Sequence, residues 1–189
     1  MKVTAIVGSP RPAGNTSYLV DRALQEIAAR GFETEKIILS QHRVNPCLGH
    51  DECVSFSRCT QKDDAPWILD KFAGSDGVIL GSPVYYYDIT AQMKAFVDRN
   101  YFLYTHGLPL KALCAGLIVV AADEGIEDAV STMMRFLKSS ANIPDERIMP
   151  VTGYANRIGD VKNNDVLVTE AQKLGTWMAE MLLSAQRPK

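Results

Sequence analysis

The sequence predicts a doubly wound α/β domain, a parallel sheet with helices on both faces. Three observations predict it. Apolar runs of strand length alternate with stretches of helical period, five of each, along the chain. The fourth run, Leu113 to Val120, is apolar almost throughout, as expected of a parallel strand covered on both faces. No repeat, low-complexity tract or linker divides the 189 residues, so residues 1–189 read as one domain with a long cysteine-containing loop at 40–63.

The first strand is Lys2 to Val7. The first helix runs from Asn15 to Arg30 with Leu19, Val20, Ala23, Leu24, Ile27 and Ala28 on its apolar face, and Gly31 is placed to end it. Glu33 to Leu39 is the second strand. Ser40 to Asp63 has neither period, and a loop of that length in a compact domain is usually functional. Asp63 or Asp64 can cap the second helix, which has Pro66 in its first turn and Trp67, Ile68, Phe72 and Ala73 inward. Gly77 to Gly81 is the third strand, leading into a stiff aromatic loop, Ser82 to Tyr87. The third helix starts near Asp88 or Thr90, with Ile89, Met93, Phe96 and Val97 at helical spacing. After the fourth strand and the loop Ala121 to Gly125 comes a helix carrying Ile126, Val130, Met133, Met134 and Leu137. The fifth strand is Arg147 to Val151, and the last helix, Asp165 to Ser184, turns Val168, Ala171, Leu174, Met178 and Met181 inward.

The first loop carries the most chemistry. Between strand and helix stand Gly8, Ser9, Pro10, Arg11, Pro12, Ala13, Gly14, Asn15, Thr16 and Ser17. A strand, a glycine- and hydroxyl-rich loop and a helix N-terminus aim unpaired N–H groups and the positive helix end at one small volume, which suits a phosphate. Five residues separate Gly8 from Gly14, and Asn15 and Thr16 follow where a nucleotide-triphosphate loop needs lysine. The dinucleotide Gly-x-Gly-x-x-Gly pattern does not occur at this loop either. A terminal monophosphate held by neutral donors fits; a plain turn with Asn15 or Thr16 as helix cap is the alternative.

Composition narrows the function. Net charge is −2 with no dense basic run, which argues against nucleic acid or an anionic membrane as partner. The longest apolar run, Ala112 to Ala122, is too short to span a bilayer. The chain enters a strand at once, without a signal-peptide pattern, so a cytoplasmic protein is expected. Three of the four cysteines, Cys47, Cys53 and Cys59, fall within thirteen residues, which suggests metal or redox chemistry more than a disulfide framework.

Ligands of doubly wound sheets bind beyond the carboxyl ends of the strands, where residues 8–17, 82–88 and 121–125 all lie. Gly8-Ser9-Pro10-Arg11 with Gly14-Asn15-Thr16, then Ser82-Pro83-Val84-Tyr85, then Met93 through Arg99, resemble the NADPH-dependent FMN reductase and iron–sulfur flavoprotein family. The resemblance covers residues 2 to about 150. It implies a flavodoxin-like three-layer sandwich with five parallel strands in the order 2-1-3-4-5. By resemblance, Ser9, Arg11, Asn15, Thr16 and Ser17 hold the FMN phosphate. Pro83, Val84, Tyr85, Tyr86 and Tyr87, with Ala122, Asp123, Glu124 and Gly125, border the flavin ring. The acidic pair Asp123-Glu124 departs from the glycine-rich form of this loop in relatives.

The resemblance then implies an FMN-dependent oxidoreductase. NAD(P)H is the co-substrate, and a small-molecule electron acceptor takes the electrons in turn. The flavin does the chemistry, so no catalytic side chain is named. Iron–sulfur relatives carry four cysteines where this chain reads Cys47, His50, Cys53 and Cys59. Imidazole can ligate iron, and three cysteines with one histidine suit zinc, so an electron carrier with a cluster at these residues is one alternative. With one ligand changed, no metal is the favoured reading. A non-catalytic flavodoxin-like binding module is the other alternative. Tyr101, Phe102, Leu103 and Tyr104, extended by His106, Leu108 and Leu110, form an apolar run too broad for one helical face. Part of it should be exposed and join subunits into a homodimer or homotetramer.

Overall fold

Residues 1–186 are described by the computed structural model, apart from the side chains of Asp51 and Ala141. The elements in chain order are β1 (Lys2–Val7), α1 (Asn15–Ala29), β2 (Glu33–Ile38), α2 (Ala65–Ala73), β3 (Gly77–Tyr85), β4 (Asp88–Ile89), α3 (Ala91–Arg99), α4 (Tyr101–Thr105), β5 (Cys114–Ala121), α5 (Ile126–Ala141), β6 (Ile148–Tyr154) and α6 (Asp165–Gln186). Single turns of 3-10 helix occur at Leu39–Gln41, Asp51–Ser55, Asp145–Arg147 and Asp160–Asn163. The parallel strands stand in the order β2-β1-β3-β5-β6, the flavodoxin-like order that the family resemblance implies. Val3 of β1 pairs with Thr34 of β2 and with Gly77 of β3, and Ala115 of β5 pairs with Ile148 of β6.

Two cores lie on the two faces of the sheet, and the two-residue period of the strands divides side chains between them. Val3, Ala5 and Val7 pack with Leu19, Ile27, Leu174 and Met178 under α1 and α6. Ile6, Val78 and Leu80 pack with Phe72, Phe96, Met133 and Leu137 under α2, α3 and α5. Helix α1 ends as read, with Gly31 at φ +85, a left-handed position where a Cβ would be strained.

Four readings need correction. The third strand does not stop at Gly81. It continues to Tyr85, turns through Tyr86 and Tyr87, and pairs back antiparallel with β4, Tyr85 opposite Asp88. The aromatic loop is therefore a hairpin. Both turn residues have positive φ, +50 and +67, which hairpin turns of this kind normally assign to Asn or Gly. Helix α4 is an additional element. It buries Phe102 and Leu103 and leaves Tyr101 and Tyr104 exposed, so one expected patch divides into a core half and a surface half. The last strand runs to Tyr154, and Leu39 leaves β2 for a 3-10 turn. Finally, Trp67, Ala73, Val97, Val130, Met134, Val168 and Met181 are only half-buried and Ala28 is exposed; on α6 the inward stripe centres instead on Leu167, Ala171, Leu174, Met178 and Leu182.

The long loop at 40–63 is held by a buried ion pair. Arg99, the last residue of α3, is 1% exposed and the Asp63 side chain 0%. The guanidinium donates through both terminal nitrogens to the two Asp63 oxygens, and also to the Asn45 carbonyl at 3.1 Å and the Cys59 Sγ at 3.2 Å. Asp63 accepts further N–H groups from Asn45 (2.9 Å) and from Ala65 (3.2 Å), the first residue of α2, whose N-cap is Asp64. Burial alone would push the Asp63 carboxyl up. The Arg99 hydrogen bonds and the two backbone donors outweigh it and hold the carboxyl below its ordinary value.

Asp63→Asn leaves a buried guanidinium without its counter-charge, and the expected loss of stability is about 3–5 kcal/mol in urea unfolding. Because the folded carboxyl titrates below 3.8, its ordinary value, its contribution is complete above that value and disappears as pH falls through the lowered one. The wild-type advantage over the variant should therefore shrink at acid pH. An advantage that stays constant down to about pH 2 refutes the role assigned to this pair.

Candidate functional site

The site forms where β1, β3, β5 and β6 all end. Gly8 leaves β1 and donates its N–H to the Gly81 carbonyl at 2.7 Å. A Cβ on Gly8 would stand 2.7 Å from the Met93 Cβ, so the loop lies against α3 only because position 8 is glycine. Thr90 fixes that approach. Its hydroxyl donates to the Gly8 carbonyl at 2.6 Å and accepts the Met93 N–H at 3.2 Å, which caps α3. Ser82 accepts the Thr90 N–H at 3.1 Å. The first two loops are thereby bound to the same residue.

Inside the first loop, the Ser9 hydroxyl accepts the Arg11 N–H at 3.1 Å, and Gly14 donates to the Arg11 carbonyl at 2.9 Å. Gly14, and neither Asn15 nor Thr16, is the residue that caps α1, and no side chain bonds the helix end. The helical hydrogen bonds begin with Tyr18 donating to Gly14, so the N–H groups of Asn15, Thr16 and Ser17 have no helical partner. The Asn15 and Thr16 N–H groups and the positive helix end lie at a cavity of about 160 Å³, where the Ser9 hydroxyl also donates to the Arg11 carbonyl at 3.2 Å. Ser9, Arg11, Asn15 and Thr16 line it. Ser17 is buried outside that lining, where its hydroxyl accepts from Lys36 at 3.1 Å.

The cavity continues between the other two loops. Pro83, Val84, Tyr85, Val120 and Ala122 extend its wall. An adjoining cavity of about 300 Å³ shares Val84 and Ala122 and adds Tyr86, Tyr87, Asp123 and Glu124. Gly125 is not in either lining; its role is to let the third loop lie against the hairpin. It has φ +87, and a Cβ there would come within 2.5 Å of the Tyr87 Cα. Asp88 holds the hairpin from the other side by accepting the Thr132 hydroxyl of α5 at 3.0 Å.

A fourth loop, after β6, was missed in the sequence. Ala155, Asn156 and Ile158 line the first cavity. Asn15 draws this loop in: its amide nitrogen donates to the Arg157 carbonyl at 2.8 Å, and its oxygen accepts the Gly159 N–H at 2.8 Å. Both heteroatoms of the side chain are thus engaged, and Asn15 has its backbone N–H to offer a ligand. Asp160 stiffens the same loop by accepting the N–H groups of Asn156 and Arg157. The signal that could have found the loop was position alone, since it too follows the carboxyl end of a parallel strand.

The cysteine loop lies apart from these cavities. His50 Nδ1 is 3.6 Å from Cys53 Sγ, Cys47 Sγ accepts the Gly49 N–H, and Cys59 Sγ faces Arg99. Burial raises the Cys53 thiol, the neighbouring Cys47 and Cys59 add to this, and Arg99 opposes it. Among the described residues, no three His, Cys, Asp or Glu side chains are gathered as metal ligands. The donor set has the right chemistry for a metal, but in this arrangement its four members do not fit around one. Among the described residues, no helix is long and apolar enough to cross a membrane.

This geometry can be set beside known proteins. An iron–sulfur flavoprotein of Archaeoglobus fulgidus is 39% identical over 99% of this chain and 83% of its own. An iron–sulfur flavoprotein of Methanocaldococcus jannaschii is 38% identical over 96% of this chain and 97% of its own. An NAD(P)H:quinone oxidoreductase from Methanothermobacter marburgensis, 14% identical, superposes with a TM-score of 0.72 over 93% of this chain and 96% of that one, a likeness of fold. The sequence pattern of the NADPH-dependent FMN reductases matches residues 1–147. With that match over most of its length, the chain belongs to the NADPH-dependent FMN reductase family.

Proposed function

We propose that the protein is an FMN-dependent oxidoreductase that takes reducing equivalents from NAD(P)H and passes them to a small-molecule acceptor. The observation that carries this reading is the continuity of the two cavities. One end offers the helix N–H groups of Asn15 and Thr16, the Ser9 and Thr16 side chains and Arg11. The other is an open slot between the hairpin and the Ala122–Gly125 loop. A phosphate fits the first end and a flat ring the second. FMN, when bound, supplies the hydride and electron chemistry. The chain's own part is to bind and orient: Ser9 and the α1 N-terminus hold the phosphate, while Pro83–Tyr87 and Ala122–Gly125 flank the ring. Asn15 keeps the fourth loop closed on the phosphate end.

Ser9→Ala with Thr16→Ala removes two donors worth about 0.5–1.5 kcal/mol each, more against a charged acceptor. FMN affinity, read by flavin fluorescence, should fall about tenfold or more, and Asn15→Ala should weaken it through the released loop. Riboflavin, which lacks the phosphate, is the control, and its affinity should not follow. Unchanged FMN affinity in the double variant overturns the assignment.

A second reading, an electron carrier with a cluster on Cys47, His50, Cys53 and Cys59, is favoured by one observation. Two relatives that span nearly all of this chain are named iron–sulfur flavoproteins. We favour the metal-free reading, because the Cys59 sulfur is turned to Arg99 and one cysteine of the pattern is histidine. Cys53→Ser and Cys59→Ser should then leave flavin content and NAD(P)H oxidation nearly intact. Stoichiometric iron or zinc in the wild type, lost in either variant, promotes the second reading.

We also propose a homodimer or homotetramer. Tyr101 and Tyr104 stack at 6.3 Å on the surface of α4, and Leu108 beside them is exposed. Tyr101→Ser with Tyr104→Ser should lower the mass seen by light scattering. A wild type that is monomeric at every concentration and fully active refutes the assembly.

A further inference from the structure

The ring-side cavity has a charge pattern of its own, and we propose that it selects a planar organic cation as the electron acceptor. This rests on the FMN reading, which puts the ring at this end. The six residues that line the cavity supply two phenol rings, two carboxylates and no cation: Val84, Tyr86, Tyr87, Ala122, Asp123 and Glu124. Tyr86 is 98% exposed and Tyr87 60%, so both rings present open faces. They are held there at positive φ by the β3–β4 pairing and by the close approach of Gly125. A hairpin tip that carries two aromatic residues where Asn and Gly fit more easily keeps them against local backbone preference. Buried packing is not the reason, since both lie on the surface.

The field agrees with the rings. Asp123 and Glu124 stand at the mouth, and Glu127 and Asp128 follow in the first turn of α5. The positive end of that helix amounts to about half a charge, too little to cancel two carboxylates in the lining and two beside it. The other end of the site has Arg11 and the α1 N-terminus. The site is bipolar: a phosphate is drawn to one end, and the other attracts cations and repels carboxylated or sulfonated molecules. Cation–π contact with Tyr86 or Tyr87 and Coulomb attraction to Asp123 and Glu124 favour the same guest, a flat ring bearing positive charge.

The test uses FMN-loaded protein at low ionic strength and two flat tricyclic probes of opposite charge, N-methylacridinium and acridine-9-carboxylate, titrated by fluorescence. The wild type should bind the cation about tenfold more tightly than the anion. Asp123→Asn with Glu124→Gln should reduce that preference to within about twofold, while Tyr86→Ser should weaken the cation about threefold and leave the anion unchanged. Equal binding of both probes by the wild type overturns the proposal. So does a preference that survives loss of both carboxylates. Flavin uptake is read separately from its visible absorbance. A protein that takes up no FMN refutes the flavin reading itself, whereas one that takes it up and ignores probe charge refutes only the cation.

Discussion

The site depends on one hydroxyl. Thr90 joins the Gly8 carbonyl, just past β1, to the start of α3, and through its own N–H to Ser82, inside β3. A parallel sheet delivers its strand ends to one edge, but it leaves the loops beyond that edge unpaired. The Thr90 contacts turn two such loops into one wall, buried at 0% exposure where water does not compete for the hydrogen bonds. Gly8 makes the approach possible, and Thr90 makes it specific. The free N–H groups of α1 are then aimed at a fixed volume.

The other end of α3 answers to a different constraint. The loop at 40–63 sends Val44, Cys53 and Cys59 to the core, and a buried charge adds to their hold. Arg99 reaches Asn45, Cys59 and Asp63, three separate points of the same loop, from the end of one rigid helix. His106 adds a further tie, its ring nitrogens lying 2.8 Å from the carbonyls of Phe102 and Phe56. A buried ion pair is a weak source of net stability, and its value here is geometric. Hydrophobic contact would leave the loop free to slide, whereas directional hydrogen bonds set its position residue by residue.

The two-faced helices and three of the four site loops were legible in the sequence, because each follows from a local period or from a strand end, and the sheet order came from the family resemblance. Gly31 read correctly, since a glycine after a helical run has one common use. The hairpin tip did not. Tyr86 and Tyr87 take a backbone conformation that their side chains disfavour, so residue type pointed the wrong way. The Arg99–Asp63 pair was not read, Asp63 being offered only as a helix cap, because burial of a pair is decided by contacts 36 residues apart. Asn15 was assigned to the phosphate, yet its side chain is occupied by a loop that follows it by well over a hundred residues.

That last contact has a consequence for how the protein is made. The first loop and α1 leave the ribosome early, before Thr90 and the fourth loop can fix them. The tie from Asn15 to Gly159 spans 144 residues of chain. Until residue 159 has emerged, the cleft lacks one wall, and any anion caught by the nascent helix end is held on one side only. Domains generally assemble as units during synthesis, and long-range contacts close last. Tight loading of a phosphate-bearing ligand is therefore a late event in the life of the chain, reserved for molecules whose final strand has already joined the sheet.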